Sequence, residues 1–237
     1  MRLLPFRRNA LKEATGTRIG VLQLRGNVDE KSALDLVSRV LALSNSGADW
    51  PFLLVPISSG GGSLASAQVI VECFELLRSE LGIELRAVVA EQALSAGYYV
   101  AAACDHVTAA PAALVGGVGS TIRALRIDGA LNGLGLAYSS ISSAPYKDIL
   151  LPLRTSDHGD DVLKLLVEEH HSQFMEFVAR RRGLDASVSA IISDGRPFTG
   201  SEALKLGLID AVGGMIASIE TGAIEHQVES VILDQLN

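Results

Sequence analysis

Ser95 is the residue of this sequence that is best suited to nucleophilic chemistry. It lies in "EQALSAGYYVAAACD", residues 91–105, between a short apolar run and a very apolar segment that contains two tyrosines. A serine in such a place is most often the N-cap of a helix, with its hydroxyl accepting a backbone N–H. However, Ala96 and Gly97 remove bulk directly behind the hydroxyl, as a nucleophile that meets a polymer substrate would require. The residues alone leave both roles open.

A serine nucleophile needs a general base, and the candidate here is Lys147. None of the five histidines lies in a pattern that pairs it with the serine. A lysine can accept a proton when burial favours its neutral amine. Lys147 lies in the apolar segment "SSAPYKDILLP", residues 142–152, so we take it as the candidate base. The alternative is an exposed lysine that pairs with Asp148.

A second feature that could do chemistry is the glycine-rich turn "SSGGGS", residues 58–63. Its three glycines leave backbone N–H groups unshielded before a helix, where they can face an anion or a developing oxyanion. Glycines between a strand and a helix more often form only a tight connection. The spacing also differs from the phosphate-binding pattern G-x-x-x-x-G-K-[ST].

These candidates need a scaffold, and the apolar periodicity predicts three successive strand–helix units. In order, the strands and their helices are 18–26 with 29–47, 51–57 with 64–82, and 84–91 with 95–104. In the first helix, Leu34, Val37 and Leu41 are in register at helical spacing. Three such units in succession predict a parallel sheet with right-handed crossovers. The glycine turn and Ser95 then both follow carboxyl ends of strands, where α/β sheets bind ligands.

The elements after residue 105 are predicted to be shorter, apart from one long helix. Short strands are expected at 106–110, 114–120, 121–127 and 136–144, with a helical turn at 128–135. The long helix is expected at about 157–182. A last helix is marked at its start by a capping box of Thr199 and Glu202, and at its end by Gly207.

Composition excludes several classes of function. The 237 residues are 48% apolar and 20% charged, which suits one large domain at 18–237 after an N-terminal arm at 1–17. A net charge of −7 without a basic stripe makes nucleic acid an unlikely partner. Cys73 and Cys104 lack metal or redox spacing, so we expect packed, reduced thiols, no metal site and no cofactor. No signal peptide or transmembrane helix is visible, so a cytoplasmic or peripheral membrane location is expected.

Four segments together resemble the signal peptide peptidase A family of Ser-Lys proteases, which share the Clp protease/crotonase-like fold. Ser58–Ser63 is similar to the family's N-S-P-G-G-S turn, and Leu94–Tyr99 is similar to its A-S-G-G-Y-Y nucleophile motif. Tyr146–Asp148 matches its Y-K-D base motif. The family's closing D-G-R, T-G and A-x-x-x-G-L-x-D-x-x-G-G patterns are similar to Asp194–Arg196, Thr199–Gly200 and Ala203–Gly214. The similarity extends from about Ile19 to about Ile219. It covers nearly the whole chain.

The resemblance implies an α/β fold of repeated β-β-α/β-α units with a parallel sheet and a long C-terminal helix. It also implies a serine endopeptidase that hydrolyses extended, largely apolar peptides. By position, Ser95 would be the nucleophile and Lys147 the base, with the N–H groups of Gly61 and Ala96 as the oxyanion hole. The family assembles into rings, so a homo-oligomer is expected, in which Lys147 could complete a neighbouring subunit's site.

The sequence departs from the family in the turn and in the segment near the base. Ser58 and Gly60 replace an asparagine and a proline, and Gly117 replaces a serine that helps to orient the lysine in the family. The family's usual membrane anchor is also not visible. Gly117 keeps open a second hypothesis, a non-catalytic ring scaffold. A third is a crotonase-type acyl-CoA enzyme, for which Glu91 is the only acid near the end of the third strand.

Overall fold

The structure is a computed structural model, and it describes residues 16–45, 49–123, 125, 127–137, 139–151, 159–228 and 230–235. These residues form two compact units. The second unit is Gly119–Gln173, and the sheet unit consists of the described residues before and after it. The predicted arm at 1–17 lies almost entirely outside the described residues. The single domain at 18–237 stays a prediction.

One sheet contains all the strands of the described residues. The strands are β1 (Thr17–Val21), β2 (Leu24–Arg25), β3 (Phe52–Ser59), β4 (Glu84–Leu94), β5 (His106–Ala109), β6 (Leu114–Gly116), β7 (Pro197–Thr199), β8 (Ala211–Val212) and β9 (Val231–Gln235). Their main order is β7-β6-β4-β3-β1-β9, with β2 beside β3 and with β5 between β4 and β8. Among these pairs only β6 and β7 run antiparallel. The predicted α/β architecture with a parallel sheet is therefore confirmed.

Helices follow or separate the strands. They are α1 (Glu30–Asn45), α2 (Leu64–Leu81), α3 (Ala96–Ala103), α4 (Asp128–Gly133), α5 (Asp160–Arg182), α6 (Ala186–Ile192), α7 (Gly200–Lys205) and α8 (Met215–Glu225). Gly82, in a left-handed conformation, ends α2. The Thr199 hydroxyl accepts the Glu202 N–H to begin α7, as predicted. No helix of the described part of the chain is long and apolar enough to cross a bilayer.

Strand β3 is buried on both faces of the sheet. Leu53 and Val55 pack into the cluster that contains the apolar faces of α1, α2 and α3. Phe52 and Leu54 pack instead into a smaller cluster with Ile219 of α8. Continuous burial of this kind is typical of a parallel strand covered by helices on both sides. It explains the uninterrupted apolar run from which β3 was predicted.

The apolar residues in register at Leu34, Val37 and Leu41 do not form the buried face of α1. Leu34 and Leu41 are 56% and 50% exposed. The buried residues of α1 lie on the adjacent face: Ala33, Leu36, Val40 and Leu43. Both sets obey the helical period, so spacing alone could not choose between them, and packing on the sheet unit decides.

Other differences lie after residue 118. The described residues of the predicted strands 121–127 and 136–144 form no strand. Short alternating runs match the period of a strand, but a strand also needs a neighbour with which to pair. The long helix begins at Asp160, and residues 157 and 158 lie outside the described part. The C-terminal elements α8 and β9 were not predicted, although β9 pairs with all five residues of β1.

Candidate active site

Ser95 occupies a sharp turn between β4 and α3. Its φ of 51° and ψ of −126° are unusual, and among the other described non-glycine residues only Gln227 has a positive φ. Such a conformation costs about 1–3 kcal/mol and persists only where the surrounding structure enforces it. The Ser95 side chain makes no capping hydrogen bond to α3, so its predicted alternative role as a helix cap is wrong. Residues held in such strained conformations cluster at functional sites.

Three neighbouring strands hold this turn at their carboxyl ends. The Ser95 N–H donates to the carbonyl oxygen of Gly116 at 2.8 Å, directly after the pairing of Leu94 with Gly116. On the other side of β4, Ala93 pairs with Ser59 at the end of β3. The parallel order predicted from the sequence therefore does bring the glycine turn and Ser95 together.

Gly61 lies against Ser95 so closely that no side chain could fit between them. A Cβ on Gly61 would lie 2.8 Å from the Ser95 Cβ and 3.3 Å from its Oγ, and the φ of Gly61 is +120°. The Gly61 carbonyl accepts the Val28 N–H at 2.9 Å. A glycine is thus required here both by space and by backbone conformation. The backbone of Gly61, a predicted oxyanion donor, therefore lies next to Ser95 with no side chain between them.

Ala96 is the first residue of α3, and it is buried. The first N–H groups of a helix have no partner within the helix, so they can face a ligand. Gly97 has a different role from the one predicted. A Cβ on Gly97 would lie 2.8 Å from the Ser59 Cβ, so this glycine allows α3 to pack on β3 rather than clearing space for a substrate.

The two tyrosines of α3 fix the helix in the sheet unit. The Tyr98 hydroxyl donates to the Leu208 carbonyl at 2.8 Å, and burial raises the pKa of this phenol, which keeps it a neutral donor. The Tyr99 ring stacks on Phe177 at 3.9 Å between centroids and meets the edge of Phe174 at 5.4 Å. These contacts are structural, and they position the first turn of α3.

Gly117 adopts a left-handed conformation beside the Ser95 turn. Its φ is +62°, and a Cβ there would lie 3.4 Å from the Ser95 nitrogen. Its N–H donates to the Arg196 carbonyl at 3.2 Å. The side chains of Asp194 and Arg196 pair with each other, with 2.6 Å between Oδ2 and Nε. The D-G-R segment therefore contacts the segment that follows β6.

Lys147 belongs to the second unit and is described there by itself. It lies in a run of turns at 145–150, and its side chain is exposed. Its N–H donates to the Ala144 carbonyl at 3.3 Å, while Asp148 accepts a hydrogen bond from Ser140 at 3.2 Å. Leu150 in the same run is 60% exposed, although the apolar sequence was taken to favour burial.

The serines of the glycine turn differ in their roles. Ser63 caps α2 by accepting the Ser66 N–H at 3.2 Å. Ser58 lies 3.4 Å from a carboxylate oxygen of Glu91, which is exposed. Ser59 is fully buried, and its Oγ accepts the Gly61 N–H at 3.2 Å. Ser59 was not among the residues predicted from the sequence, although a serine two residues before a backbone donor is a known pattern of local hydrogen bonding.

The two cysteines differ in how deeply they are buried. Cys104 is buried, Cys73 is partly buried, and both are free thiols, as predicted. Burial raises the pKa of both thiols. Within the described ranges, no group of three or more histidine, cysteine or acidic residues is arranged to hold a metal ion.

Comparison with known proteins identifies the family. The sequence profile of peptidase family S49 matches residues 79–229. A putative protease of Synechocystis is 31% identical over 201 residues, which cover 84% of this chain and 66% of that protein. A putative signal peptide peptidase SppA of Enterococcus faecium is 30% identical over 162 residues, 68% of this chain and 46% of that protein.

A putative protease of Methanocaldococcus jannaschii is 30% identical over 164 residues, 68% of this chain and 51% of that protein. The chain thus spans about half to two thirds of the length of these three relatives. The profile match covers the Ser95 turn, the Y-K-D segment and the closing motifs. The chain belongs to peptidase family S49, the family of signal peptide peptidase A.

Proposed function

We propose that the chain is a serine endopeptidase in which Ser95 is the nucleophile and Lys147 is the general base. The N–H groups of Gly61 and Ala96 form the oxyanion hole. Its substrates are extended, largely apolar peptides. For the whole chain we propose the Clp protease/crotonase-like fold. The parallel order of β3, β4 and β6 supports this assignment.

The observation that carries this proposal is the strained Ser95 turn with the Gly61 backbone against it. Strain of this size persists at functional sites, where the surrounding fold enforces it. A helix cap would not need it, because an N-cap serine adopts ordinary extended angles, as Ser63 does with φ −76° and ψ 125°. The same chain therefore contains a capping serine and an uncapped, strained serine at equivalent strand–helix junctions.

The reaction follows from the roles of these groups. The Ser95 Oγ attacks the peptide carbonyl carbon, and the Lys147 amine takes the hydroxyl proton. The carbonyl oxygen becomes an oxyanion that accepts the N–H groups of Gly61 and Ala96. When the C–N bond breaks, the lysine returns the proton to the leaving amine. Water, deprotonated by the same lysine, then attacks the acyl carbon, and the lysine returns the proton to the Ser95 Oγ as the ester bond breaks.

Lys147 is exposed in the single chain, whereas a lysine base needs surroundings that favour the neutral amine. We therefore propose that the active form is a homo-oligomeric ring in which Lys147 is covered at a subunit boundary or by the bound peptide. The sequence motif Y-K-D and the ring assembly expected from the resemblance support this part of the proposal.

A fluorophosphonate probe tests the nucleophile directly. Labelling should occur at Ser95, as located by mass spectrometry of the digested protein, and should disappear in Ser95→Ala. Labelling should be strongly slowed in Lys147→Ala, while Ser63→Ala serves as a matched control because that serine only caps α2. An assembled wild-type protein in which Ser95 does not react would favour the non-catalytic scaffold instead.

A further inference from the structure

The backbone of the glycine turn depends on hydrogen bonds to keep its conformation, because its three central residues have no side chains. Gly60, Gly61 and Gly62 follow one another, and glycine loses more conformational freedom on ordering than any other residue. A peptide plane between two glycines can rotate readily, because no Cβ limits it. For the Gly61 N–H to meet an oxyanion, the peptide plane between Gly60 and Gly61 must be held in one orientation.

Two hydrogen bonds hold Gly61, one on each side. Its carbonyl oxygen accepts the Val28 N–H at 2.9 Å, which fixes the plane after Gly61. Its N–H, on the plane before it, donates to the Ser59 Oγ at 3.2 Å. The same Oγ lies 3.4 Å from the Gly61 carbonyl oxygen. The Ser59 hydroxyl is thus the side-chain group that holds the plane carrying the candidate oxyanion donor.

Ser59 is itself fixed by its surroundings. It is completely buried at the end of β3, where it pairs with Ala93 and where the register of β3 on β4 shifts. A Cβ on Gly97 would lie 3.1 Å from the Ser59 Oγ, so α3 packs directly against the hydroxyl. A buried hydroxyl is costly unless it is hydrogen-bonded, and here its partner is Gly61.

We propose that Ser59 is a positioning residue for the oxyanion hole. Its hydroxyl holds the Gly60–Gly61 peptide plane in the free protein through a long, neutral hydrogen bond. An oxyanion is charged and accepts an N–H more strongly than a hydroxyl does. The Gly61 N–H therefore donates to the oxyanion instead of the Ser59 hydroxyl in the transition state. The stronger hydrogen bond exists only in the transition state, and an interaction of that kind lowers the barrier. This inference rests on the proposed function.

The test compares Ser59→Ala and Ser59→Cys with the wild type. Alanine removes the acceptor, and cysteine keeps the volume but offers only a weak acceptor. Both variants should lower kcat about 10- to 100-fold and leave KM within about twofold, because only a transition-state interaction is lost. The rate of fluorophosphonate labelling at Ser95 should fall in parallel. The control is Ser218→Ala, a buried serine in α8 whose hydroxyl has no partner within the described structure.

A second readout does not depend on activity. In an isotope-labelled protein, hydrogen exchange at the Gly61 amide should accelerate more than about tenfold in Ser59→Ala, beyond any change at the Ala96 amide. Unchanged kcat in folded Ser59→Ala and Ser59→Cys, or a higher kcat, would overturn the inference and leave the peptidase proposal standing. A wild type that neither reacts nor hydrolyses peptides would defeat the peptidase proposal. In that case unchanged Gly61 exchange would still overturn the positioning role of Ser59.

Discussion

The regions around the two proposed catalytic residues differ in how they are built. Ser95 lies where the ends of three buried strands meet, and backbone hydrogen bonds to Gly116, Tyr98 and Tyr99 fix its strained conformation. Lys147 lies in an exposed run of turns, and Ile141 of the same unit is fully exposed. Ser95, the proposed nucleophile, is therefore positioned by the fold of its own unit. Lys147, the proposed base, lies in a local turn, and its side chain is exposed.

This contrast indicates that the two residues acquire their chemistry at different stages. The geometry of Ser95 is set when the sheet unit folds, because Gly116, Tyr98 and Tyr99, which hold it by backbone hydrogen bonds, belong to that unit. A lysine base needs a dry environment, which the turns at 145–150 do not supply by themselves. We expect assembly or substrate to supply it, so that an isolated subunit would have a formed nucleophile turn and weak activity.

The largest expected effect on activity comes from removing Ser95 or Lys147, each in a separate variant, and then mixing the two variants. Ser95→Ala and Lys147→Ala should each lose about a thousandfold or more in kcat, because such groups act as a unit. If Lys147 completes the site of a neighbouring subunit, mixing the two inactive proteins should restore substantial peptide hydrolysis. Activity is followed with a fluorogenic peptide, and subunit exchange is verified by native mass spectrometry. Confirmed exchange without recovery would place both residues of a site in one subunit.

Gly61→Ala should have the next largest effect on activity, and Gly129→Ala in the second unit is its control. The new methyl at Gly61 would meet the Ser95 Cβ at 2.8 Å with φ at +120°, so the turn must move. We expect kcat to fall about 100- to 1000-fold and stability to fall by about 1–3 kcal/mol. These are measured by peptide hydrolysis and by denaturant unfolding.

Gly129 lies in α4, and a methyl there would meet no atom within 4 Å. Gly129→Ala should keep full activity and gain up to about 1 kcal/mol from helix propensity. Equal losses in the two variants would contradict the idea that the glycine turn is specifically tight against Ser95.

The same contrast explains what could be predicted from the sequence. Strands β3 and β4 and helices α2 and α3 are buried against their own unit, so their apolar patterns predicted them correctly. In the second unit Leu125, Leu134 and Leu136 are all more than half exposed, so apolar spacing there did not report burial and strands were predicted wrongly. The burial of Ser59 also escaped prediction, because it depends on the approach of α3 to β3.

Gly117→Ser tests whether the departure from the family limits the chemistry of the base. A non-glycine residue at φ +62° costs about 1 kcal/mol, so the free energy of unfolding should fall by about that amount. If a hydroxyl here orients the lysine, kcat should nevertheless rise severalfold. Gly117→Ala is the matched control, since it carries the same backbone cost without a hydroxyl. A serine variant no faster than the alanine variant would show that Gly117 is not the limiting position.

The smallest expected effect concerns the loss of stability of the sheet unit at low pH. At the end of α5 the Arg182 guanidinium binds both carboxylate oxygens of Asp210, at 2.8 and 3.0 Å, and the Val107 N–H donates to the same carboxylate at 2.7 Å. Burial pushes the pKa of Asp210 upward, but the Arg182 and Val107 hydrogen bonds outweigh it and hold the pKa below its ordinary value.

A carboxylate whose pKa is lower in the folded state stabilises the fold above its unfolded pKa, which is about 3.9 for aspartate. That stability is fully present near neutral pH and is lost as the pH falls below about 4 and through the folded pKa. Asp210→Asn should therefore lower stability at pH 7 by about 1–2 kcal/mol and flatten its decline in acid. Denaturant unfolding of both proteins between pH 3 and pH 7 measures this. A difference between them that stays constant over that range would mean that packing, and not charge, makes Asp210 important, because only the loss of an ionised partner of Arg182 depends on pH.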